Sequence, residues 1–91
     1  MSYEVAYHPA VVRDDIPSLD PTTRRRIKSA IEEKLVTQPE LFGIPLRQSL
    51  KGHRKLRVGD YRVVFHIAGK QVIVIAIIHR STVYREAERR A

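Results

Sequence analysis

Residues 54–65 read RKLRVGDYRVVF, two strand-like runs that meet at Gly59-Asp60. Gly-Asp between such runs is typical of a β-hairpin with a two-residue loop, and this loop places Arg57 directly opposite Arg62. Because side chains alternate along a strand, one face carries apolar residues that we assign to the core: Leu56, Val58, Tyr61 and Val63. The other face carries three cations: Lys55, Arg57 and Arg62.

The pairing of two arginines is the unusual feature of this hairpin. Like charges in directly opposite positions destabilise a strand pair by roughly 0.2–1 kcal/mol, so a sheet that keeps them is expected to hold an anion. The alternative is a solvated face whose Lys and Arg residues guard against edge-to-edge pairing. The cross-strand pair of Arg57 and Arg62 favours the anion site.

The hairpin continues into a third strand-like run at residues 71–78. Ala68-Gly69-Lys70 separates this run from the second, so the three runs predict an antiparallel meander. The third run, QVIVIAII, is apolar on both faces, which indicates a central position in a sheet that is covered on both sides.

Upstream of the meander the pattern predicts one strand and two helices. Residues 2–8 alternate as a half-buried strand, and residues 9–16 begin a helix that Pro17 ends or kinks. Asp20 caps the second helix, with Pro21 at its first position. The expected apolar stripe of the first helix is Val12, Ile16 and Leu19, and that of the second is Ile27, Ala30, Ile31 and Leu35.

The remaining segments complete a small α+β domain. Residues 37–52 contain two Pro and two Gly and indicate an irregular crossing, and residues 81–91 form a short, polar, helix-prone tail. We therefore expect a single domain over residues 1–91 in the order β-α-α-β-β-β. Its antiparallel sheet packs against the two N-terminal helices, and a short C-terminal helical tail follows.

The end of the third strand brings further polar residues toward the cations, but the sequence leaves their register open. A three-residue loop at Ala68–Lys70 puts Arg62 opposite Ala76, and Arg80 then shares the face of Arg62. A two-residue loop at Gly69-Lys70 puts His79 there instead.

Composition limits the class of protein. Residues 1–46 carry six Lys/Arg and seven Asp/Glu, whereas residues 47–91 carry eleven and three, so the net charge of +7 belongs to one half of the fold, as expected for a surface that meets phosphates. The chain has no cysteine, no long apolar run and no signal-peptide pattern. We expect a cytoplasmic protein without a membrane partner, and the spacing of its four histidines indicates no metal site.

A face rich in Lys, Arg and Tyr suits the chemistry of a phosphodiester. The guanidinium fork of arginine holds phosphate oxygens and stabilises charge that develops on them. A lysine among arginines has its charged form disfavoured and can serve as a base. RNA supplies its own nucleophile, the 2′-hydroxyl, so such a face can cleave RNA by internal transesterification without a metal or cofactor.

The same residues resemble a known family. The block LKGHRKLRVGDYRVVF at residues 50–65, the apolar strand that follows and HRSTVY at residues 79–84 are similar to the RelE branch of the RelE/ParE toxin superfamily. The resemblance covers nearly the whole chain. It implies the toxin of a toxin–antitoxin module, a ribosome-dependent endonuclease that cuts mRNA at A-site codons.

The resemblance also implies roles for individual residues. Lys55 matches a general base or charge stabiliser, and Arg62 matches the arginine that clamps the scissile phosphate. Arg80 matches a residue that protonates or stabilises the leaving 5′-oxygen, and Tyr84 one that orients the nucleophile or stacks on a base. Substrate-binding positions are expected at His53, Arg54, Arg57 and His79.

Two departures from the family pattern concern the base. His53 stands where some members have a second lysine, and the segment between Arg80 and Tyr84 is shorter than in some members. His53 or His79 can therefore replace Lys55 in proton transfer, since histidine titrates near neutral pH.

Two other functions remain open under the same resemblance. A ParE-type toxin shares the fold but inhibits DNA gyrase, and members of that branch usually lack the full basic and tyrosine set. A decayed toxin binds only its antitoxin and operator DNA. The presence of Lys55, Arg62, Arg80 and Tyr84 favours the nuclease.

The resemblance implies partners as well. These are a cognate antitoxin, the ribosome and mRNA, with operator DNA reached only through the antitoxin. The run Arg24-Arg25-Arg26 on the second helix is either a solvated face or a contact for ribosomal RNA or an acidic antitoxin. We assign Asp60 to the chemistry of the turn.

Overall fold

The computed structural model describes residues 2–91 and contains five strands and three α-helices within that range. The strands are β1 (Glu4–Tyr7), β2 (Ile44–Pro45), β3 (Arg54–Val58), β4 (Tyr61–Ala68) and β5 (Gln71–His79). The α-helices are α1 (Pro21–Ala30), α2 (Pro39–Phe42) and α3 (Arg85–Arg90). Shorter helical segments are the π-helical Val11–Asp15 and Ile31–Leu35 and the 3₁₀ turns Ile16–Ser18 and Gln48–Leu50.

The strands form one sheet in the order β1-β5-β4-β3-β2. The meander of β3, β4 and β5 is antiparallel, as the sequence predicts, and β5 lies between β1 and β4. The antiparallel expectation fails only for β1, which pairs in parallel with β5. Strand β2 is an addition that the irregular segment 37–52 does not predict. No helix within residues 2–91 is both long and apolar enough to cross a membrane.

The second helix begins and packs as its sequence predicts. The Asp20 carboxylate accepts a hydrogen bond from the Thr23 N–H at 3.3 Å, and Pro21 occupies the first turn, so a free backbone donor is satisfied where the helix starts. The predicted stripe packs into the core, with Ala30 half-buried and Ile27, Ile31 and Leu35 buried.

The predicted stripe of the first helix is wrong at one residue. Val12 is 57% exposed, whereas Val11 is fully buried. The segment is π-helical, and the Ile16 N–H bonds to the carbonyl of Val11, five residues back. This wider turn aligns Val11 with Ile16 on the core side and rotates Val12 into solvent.

Both faces of the sheet are covered. On the inner face, the N-terminal helices pack against residues of β3, β4 and β5 such as Leu56, Phe65 and Val74. On the outer face, α3 and the turn before β3 pack against β4 and β5, in a cluster formed by Leu50, Val64, Ile75, Ala76, Ile78 and Ala87 with Leu46, Ile73 and Tyr84 beside it. The C-terminal tail is thus a packed layer, which explains why β5 is apolar on both faces.

An ion pair joins the C-terminal helix to the N-terminal helical segment. Arg90 Nη1 lies 2.8 Å from Asp15 Oδ2, and the two side chains are only 9% and 12% exposed. Arg90 Nη1 also donates to the carbonyl of Ile75 at 3.0 Å, and Asp15 accepts from the N–H of Ile77 at 2.9 Å. Chiefly through its hydrogen bonds to Asp15, the pKa of Arg90 is raised.

Removing one partner of this pair is expected to destabilise the domain. Arg90→Met leaves a nearly buried carboxylate without its cation and lowers the free energy of unfolding by about 3 kcal/mol, measured by urea titration. Arg13→Met is the control because the Arg13–Asp14 pair is exposed, and its midpoint should match the wild type. Adding Asp15→Leu to Arg90→Met should recover part of the loss. Equal midpoints for Arg90→Met and Arg13→Met would contradict a structural role for the pair.

Candidate active site

The hairpin has the register that its sequence predicts. Arg57 pairs with Arg62 and Val58 with Tyr61, across a two-residue turn at Gly59-Asp60. The side chains of β3 and β4 that point away from the N-terminal helices include Lys55, Arg57, Arg62 and His66, and His53 lies just before β3 with its ring against His66. We call the surface formed by His53, Lys55, Arg57, Arg62 and Arg80, with Tyr84 beside it, the basic face.

A β-bulge decides which residue at the end of β5 joins the basic face. The loop before β5 has two residues, with Ala68 opposite Gln71, but Ile75 is an extra residue between the pairs Phe65–Val74 and Val64–Ala76. The bulge shifts the pairing by one position, so that Ile78 lies opposite Arg62. Alternation then puts Arg80 on the face of Arg62, although the loop length alone would put His79 there.

The side chain of Arg62 is held by the backbone of the turn. Its Nη1 donates to the carbonyls of Gly59 at 3.2 Å and Tyr61 at 3.0 Å. Arginine has five N–H donors, so those on Nε and Nη2 remain for an anion. A guanidinium that is already anchored loses little side-chain entropy when it binds a phosphate.

Asp60 holds the second cation of the site. The N–H of Arg80 donates to the carbonyl of Asp60 at 2.7 Å, and Arg80 Nε lies 3.6 Å from the Asp60 carboxylate. Both side chains are exposed, so the attraction contributes little to stability. Its effect is positional, since the end of β5 stays beside the turn that also anchors Arg62.

Lys55 and Arg57 complete the cationic row. Neither side chain forms a hydrogen bond or ion pair with another residue in the range 2–91. Arg57 is exposed and Lys55 is half-buried. With Arg57 directly opposite Arg62, the like charges repel, and a bound anion would relieve this repulsion.

Tyr84 reaches the same face from the start of α3. It is partly buried against the outer-face cluster that includes Val64 and Ile78, which are the neighbours of Lys55 and Arg62 across the sheet. Its hydroxyl has no hydrogen-bond partner among residues 2–91, so it is available to a ligand. The placement of Tyr84 depends on the packing of α3.

Two histidines lie side by side at the far end of the basic face. The rings of His53 and His66 are edge to face with centroids 4.9 Å apart, and the Nδ1 atom of each is buried without a hydrogen-bond partner in the structure. Burial and, to a lesser extent, the nearby His53 lower the pKa of His66. His53 is also two residues from Lys55 on the same side of β3.

Two of the predicted site residues lie elsewhere. Arg54 donates to the carbonyls of Glu40 at 3.3 Å and Gly43 at 3.1 Å, so it fastens α2 and β2 to β3. His79 stacks edge to face on Tyr61 on the inner side, with centroids 5.3 Å apart, and its Nδ1 lies 2.7 Å from Ser81 Oγ. Alternation along each strand separates both side chains from the basic face.

Two features that shape the site leave no signal in the sequence. The bulge at Ile75 falls inside a uniformly apolar run, where neither glycine nor a change of pattern marks it. Asp60 is assigned from the sequence only to the turn, although it also contacts Arg80. Its position directly after Gly59 gives no hint of a partner twenty residues away.

The histidine pair predicts a pH-dependent stability. The pKa of His66 in the folded state is lower than its usual value of 6.5. At a pH just below 6.5 the unfolded chain therefore binds more protons than the folded chain, so the stability of the fold decreases as the pH falls below 6.5. The melting temperature should decrease between pH 7.5 and 5.5, and the decrease should be smaller in His66→Gln. An identical decrease in both proteins would show that His66 does not contribute.

A protein-family model matches most of the chain. The family model described as ParE toxin of type II toxin-antitoxin system, parDE, covers residues 5–84. Among characterised sequences, Toxin RelE of Mycobacterium tuberculosis is 33% identical over 90 residues, which are 93% of each chain. Toxin RelG of the same organism is 32% identical over 91 residues, 93% of this chain and 99% of the relative.

Solved structures have the same fold. The toxin–antitoxin complex RelBE2 of M. tuberculosis contains a chain with a TM-score of 0.81 and 27% identity, matched over 88% of this chain and 100% of that one. A mutant of the Escherichia coli toxin RelE in the free state has a TM-score of 0.74 and 26% identity, over 99% and 98%. The chain therefore belongs to the RelE family of type II toxin–antitoxin toxins, within the RelE/ParE superfamily.

Proposed function

We propose that this toxin is a ribosome-dependent endoribonuclease that cuts mRNA at A-site codons. The observation that carries the proposal is the convergence of Lys55, Arg57, Arg62, Arg80 and Tyr84 on one face of the sheet. A face with four cations and a free tyrosine hydroxyl, and with few carboxylates, fits a phosphodiester and the charge that develops on it during cleavage.

The reaction is an internal transesterification. A base removes the proton of the 2′-hydroxyl, whose oxygen attacks the adjacent phosphorus atom. The bond from phosphorus to the 5′-oxygen breaks, so the products are a 2′,3′-cyclic phosphate and a 5′-hydroxyl, the leaving oxygen having gained a proton. DNA lacks the 2′-hydroxyl and cannot follow this route.

Each residue of the basic face has a place in this scheme. Arg62, anchored by the turn, binds the non-bridging oxygens and stabilises the additional charge of the transition state. Arg80 lies where it can stabilise or protonate the leaving 5′-oxygen, while Arg57 neutralises the neighbouring backbone. Tyr84 orients the 2′-hydroxyl or stacks on a base.

The base is Lys55 or His53. Both belong to the basic face, whereas His79 lies on the inner side, beside Tyr61. The Nδ1 atom of His53 is buried without a hydrogen-bond partner in the structure, so proton transfer by His53 would use Nε2. The ribosome is required because the 2′-hydroxyl, the phosphorus atom and the leaving 5′-oxygen of the mRNA must be held in line. A small open face cannot hold them so alone.

The test is cleavage of a defined mRNA in a purified bacterial translation system. Cuts with 5′-hydroxyl ends are expected at A-site codons only when ribosomes are present. Arg62→Ala should slow cleavage by about 100-fold or more, as loss of one transition-state donor does, and Arg80→Ala and Tyr84→Phe should also reduce it. Arg13→Ala, an exposed arginine outside the basic face, is the control and should cleave at the wild-type rate.

The same assay identifies the base. If Lys55 is the base, Lys55→Met removes most of the rate while His53→Gln retains it, and the reverse holds if His53 is the base. The pH dependence of single-turnover cleavage should lose its acidic limb only in the variant that lacks the base. Cleavage that is insensitive to Arg62→Ala would contradict the assignment of the basic face.

A second candidate is inhibition of DNA gyrase without nuclease activity. The match of residues 5–84 to the ParE model favours it, because members of that branch share the fold and not the chemistry. Intact mRNA in the translation assay, together with growth arrest and loss of supercoiling by gyrase, would establish this candidate. The basic face would then be a binding surface.

We also propose that a cognate antitoxin restrains the toxin in the cytoplasm. The chains of RelBE2 from M. tuberculosis form a toxin–antitoxin complex, and operator DNA would be bound through the antitoxin. The antitoxin either covers the basic face with acidic residues or displaces the segment 80–91, which carries Tyr84. This segment attaches to the rest of the domain through the apolar contacts of Tyr84 and Ala87 and through the Arg90–Asp15 ion pair, which displacement would have to break.

Amide hydrogen exchange distinguishes the two modes of inhibition. Covering the basic face should slow exchange in residues 54–65 and 80–91, whereas displacement should accelerate exchange in residues 85–90 because α3 leaves the sheet. Residues 21–30 in α1 provide an internal comparison. A tight, inactive complex with unchanged exchange in both segments would exclude covering and displacement alike.

A further inference from the structure

We propose a second site for the phosphodiester backbone of RNA, in the groove between α1 and the edge of β3. The groove continues the basic face around the turn between β3 and β4 and has a volume of about 420 Å³. It is lined by Arg26, Ser29, Ala30, Glu33, Lys34, Arg57, Val58 and Gly59. The proposal rests on the function proposed above, in that the RNA is taken to pass over the basic face.

The turn at Gly59 connects the two surfaces. Arg62 of the basic face donates to the Gly59 carbonyl at 3.2 Å. On the groove side, the guanidinium of Arg26 lies so close that a Cβ atom on residue 59 would be 3.0 Å from its Nη1. Gly59 also has a φ of +58°, which disfavours other residues. Two guanidinium groups therefore flank one glycine, one on each surface.

Arg57 belongs to both surfaces because it stands on an open edge of the sheet. Strand β2 pairs with β3 only at Arg54 and Lys55, so no strand covers β3 from Leu56 to Val58. The side chain of Arg57 is exposed and lines the groove. A band of cations thus passes from the basic face around the edge of the sheet to α1 and the π-helical segment that follows it: Arg62, Arg57, Arg26 and Lys34.

The arginines of the groove have no partner among residues 2–91, a feature that they share with Arg25, Arg47 and Arg85, which do not line the groove. Arg13, Arg24, Arg54, Arg62, Arg80, Arg89 and Arg90 each bond to a carboxylate or a backbone carbonyl. Arg26 and Arg57 form no hydrogen bond or ion pair with any residue from 2 to 91. Neighbouring unpaired cations that line one concave surface are the arrangement that an extended polyanion neutralises.

The lining indicates a backbone ligand rather than a base pocket. Three cations face one carboxylate, Glu33, and Lys34 is held with its Nζ 5.6 Å from the centre of the Phe42 ring. No aromatic ring is among the lining residues, so stacking of a base is not provided for. Contacts of this kind position RNA without reading its sequence.

The test measures binding and does not depend on cleavage. A single-stranded RNA with 2′-O-methyl groups, which cannot be cleaved by transesterification, is titrated with the purified toxin over a range of KCl concentrations. The slope of log K against log salt is negative, and each lost phosphate contact makes it shallower by about 0.7 for a single strand. Arg26→Gln and Lys34→Gln should each make the slope shallower by this amount, and the double variant by about twice as much.

Neighbouring residues outside the groove give matched controls. Arg25→Gln makes the same change of charge as Arg26→Gln one position along α1, and it should alter the slope much less. Glu33→Gln removes the only carboxylate of the groove and should tighten binding, whereas Glu32→Gln should not. If the members of each pair behave alike both in this titration and in the binding of vacant ribosomes, only the net charge matters and the proposed site is wrong.

The source of the RNA is decided by a parallel titration with vacant ribosomes. If the groove binds the mRNA strand, Arg26→Gln weakens binding to the free oligonucleotide and also reduces cleavage. If it binds ribosomal RNA, the variant weakens ribosome binding and leaves oligonucleotide binding unchanged. Either result supports a phosphodiester site. If Arg26→Gln weakens neither oligonucleotide binding nor ribosome binding, the proposed site is wrong. A toxin that never cleaves mRNA but shows the groove effects would refute only the nuclease.

Discussion

The arrangement of the basic face depends on the β-bulge at Ile75 and on the ion pair beside it. The bulge moves the last residues of β5 by one position, which places Arg80 on the side of Arg62. Arg90 donates to the carbonyl of Ile75, and Asp15 accepts from the N–H of Ile77. Both backbone groups follow Val74, the last residue of β5 that pairs with β1. Because Arg90 ends α3, the same pair also fixes the helix that carries Tyr84.

The basic face combines charges that a stable fold would separate. Arg57 lies opposite Arg62 within the sheet. Burial of a large apolar cluster under the N-terminal helices on the other face stabilises the fold and offsets this repulsion. A bound anion would supply the charge that offsets this repulsion. The turn carbonyls orient Arg62 without adding charge, and the single carboxylate of Asp60 offsets only one of the four cations.

The two surfaces proposed to bind RNA meet at one small turn. Gly59 lies between the guanidinium groups of Arg62 and Arg26, and its φ of +58° is a backbone conformation that favours glycine. Cations on the two surfaces could therefore contact consecutive phosphates of one RNA strand from the sheet to α1. Such continuity matters for a small protein, because many weak contacts must supply the affinity that a deep pocket would otherwise give.

The sequence by itself determined the local elements: the hairpin with its facing arginines, the cap at Asp20, the central apolar strand and the family resemblance. The hairpin, the cap and the apolar strand follow from periodicity, turn chemistry and spacing, which involve residues near one another in the chain, whereas the resemblance lies in the sequence blocks at residues 50–65 and 79–84. Only the tertiary structure decided the faces of Arg80 and His79 and the covering of the outer face by α3. Each depends on a contact between distant segments, since the bulge is satisfied by Asp15 and Arg90, which come from opposite ends of the chain.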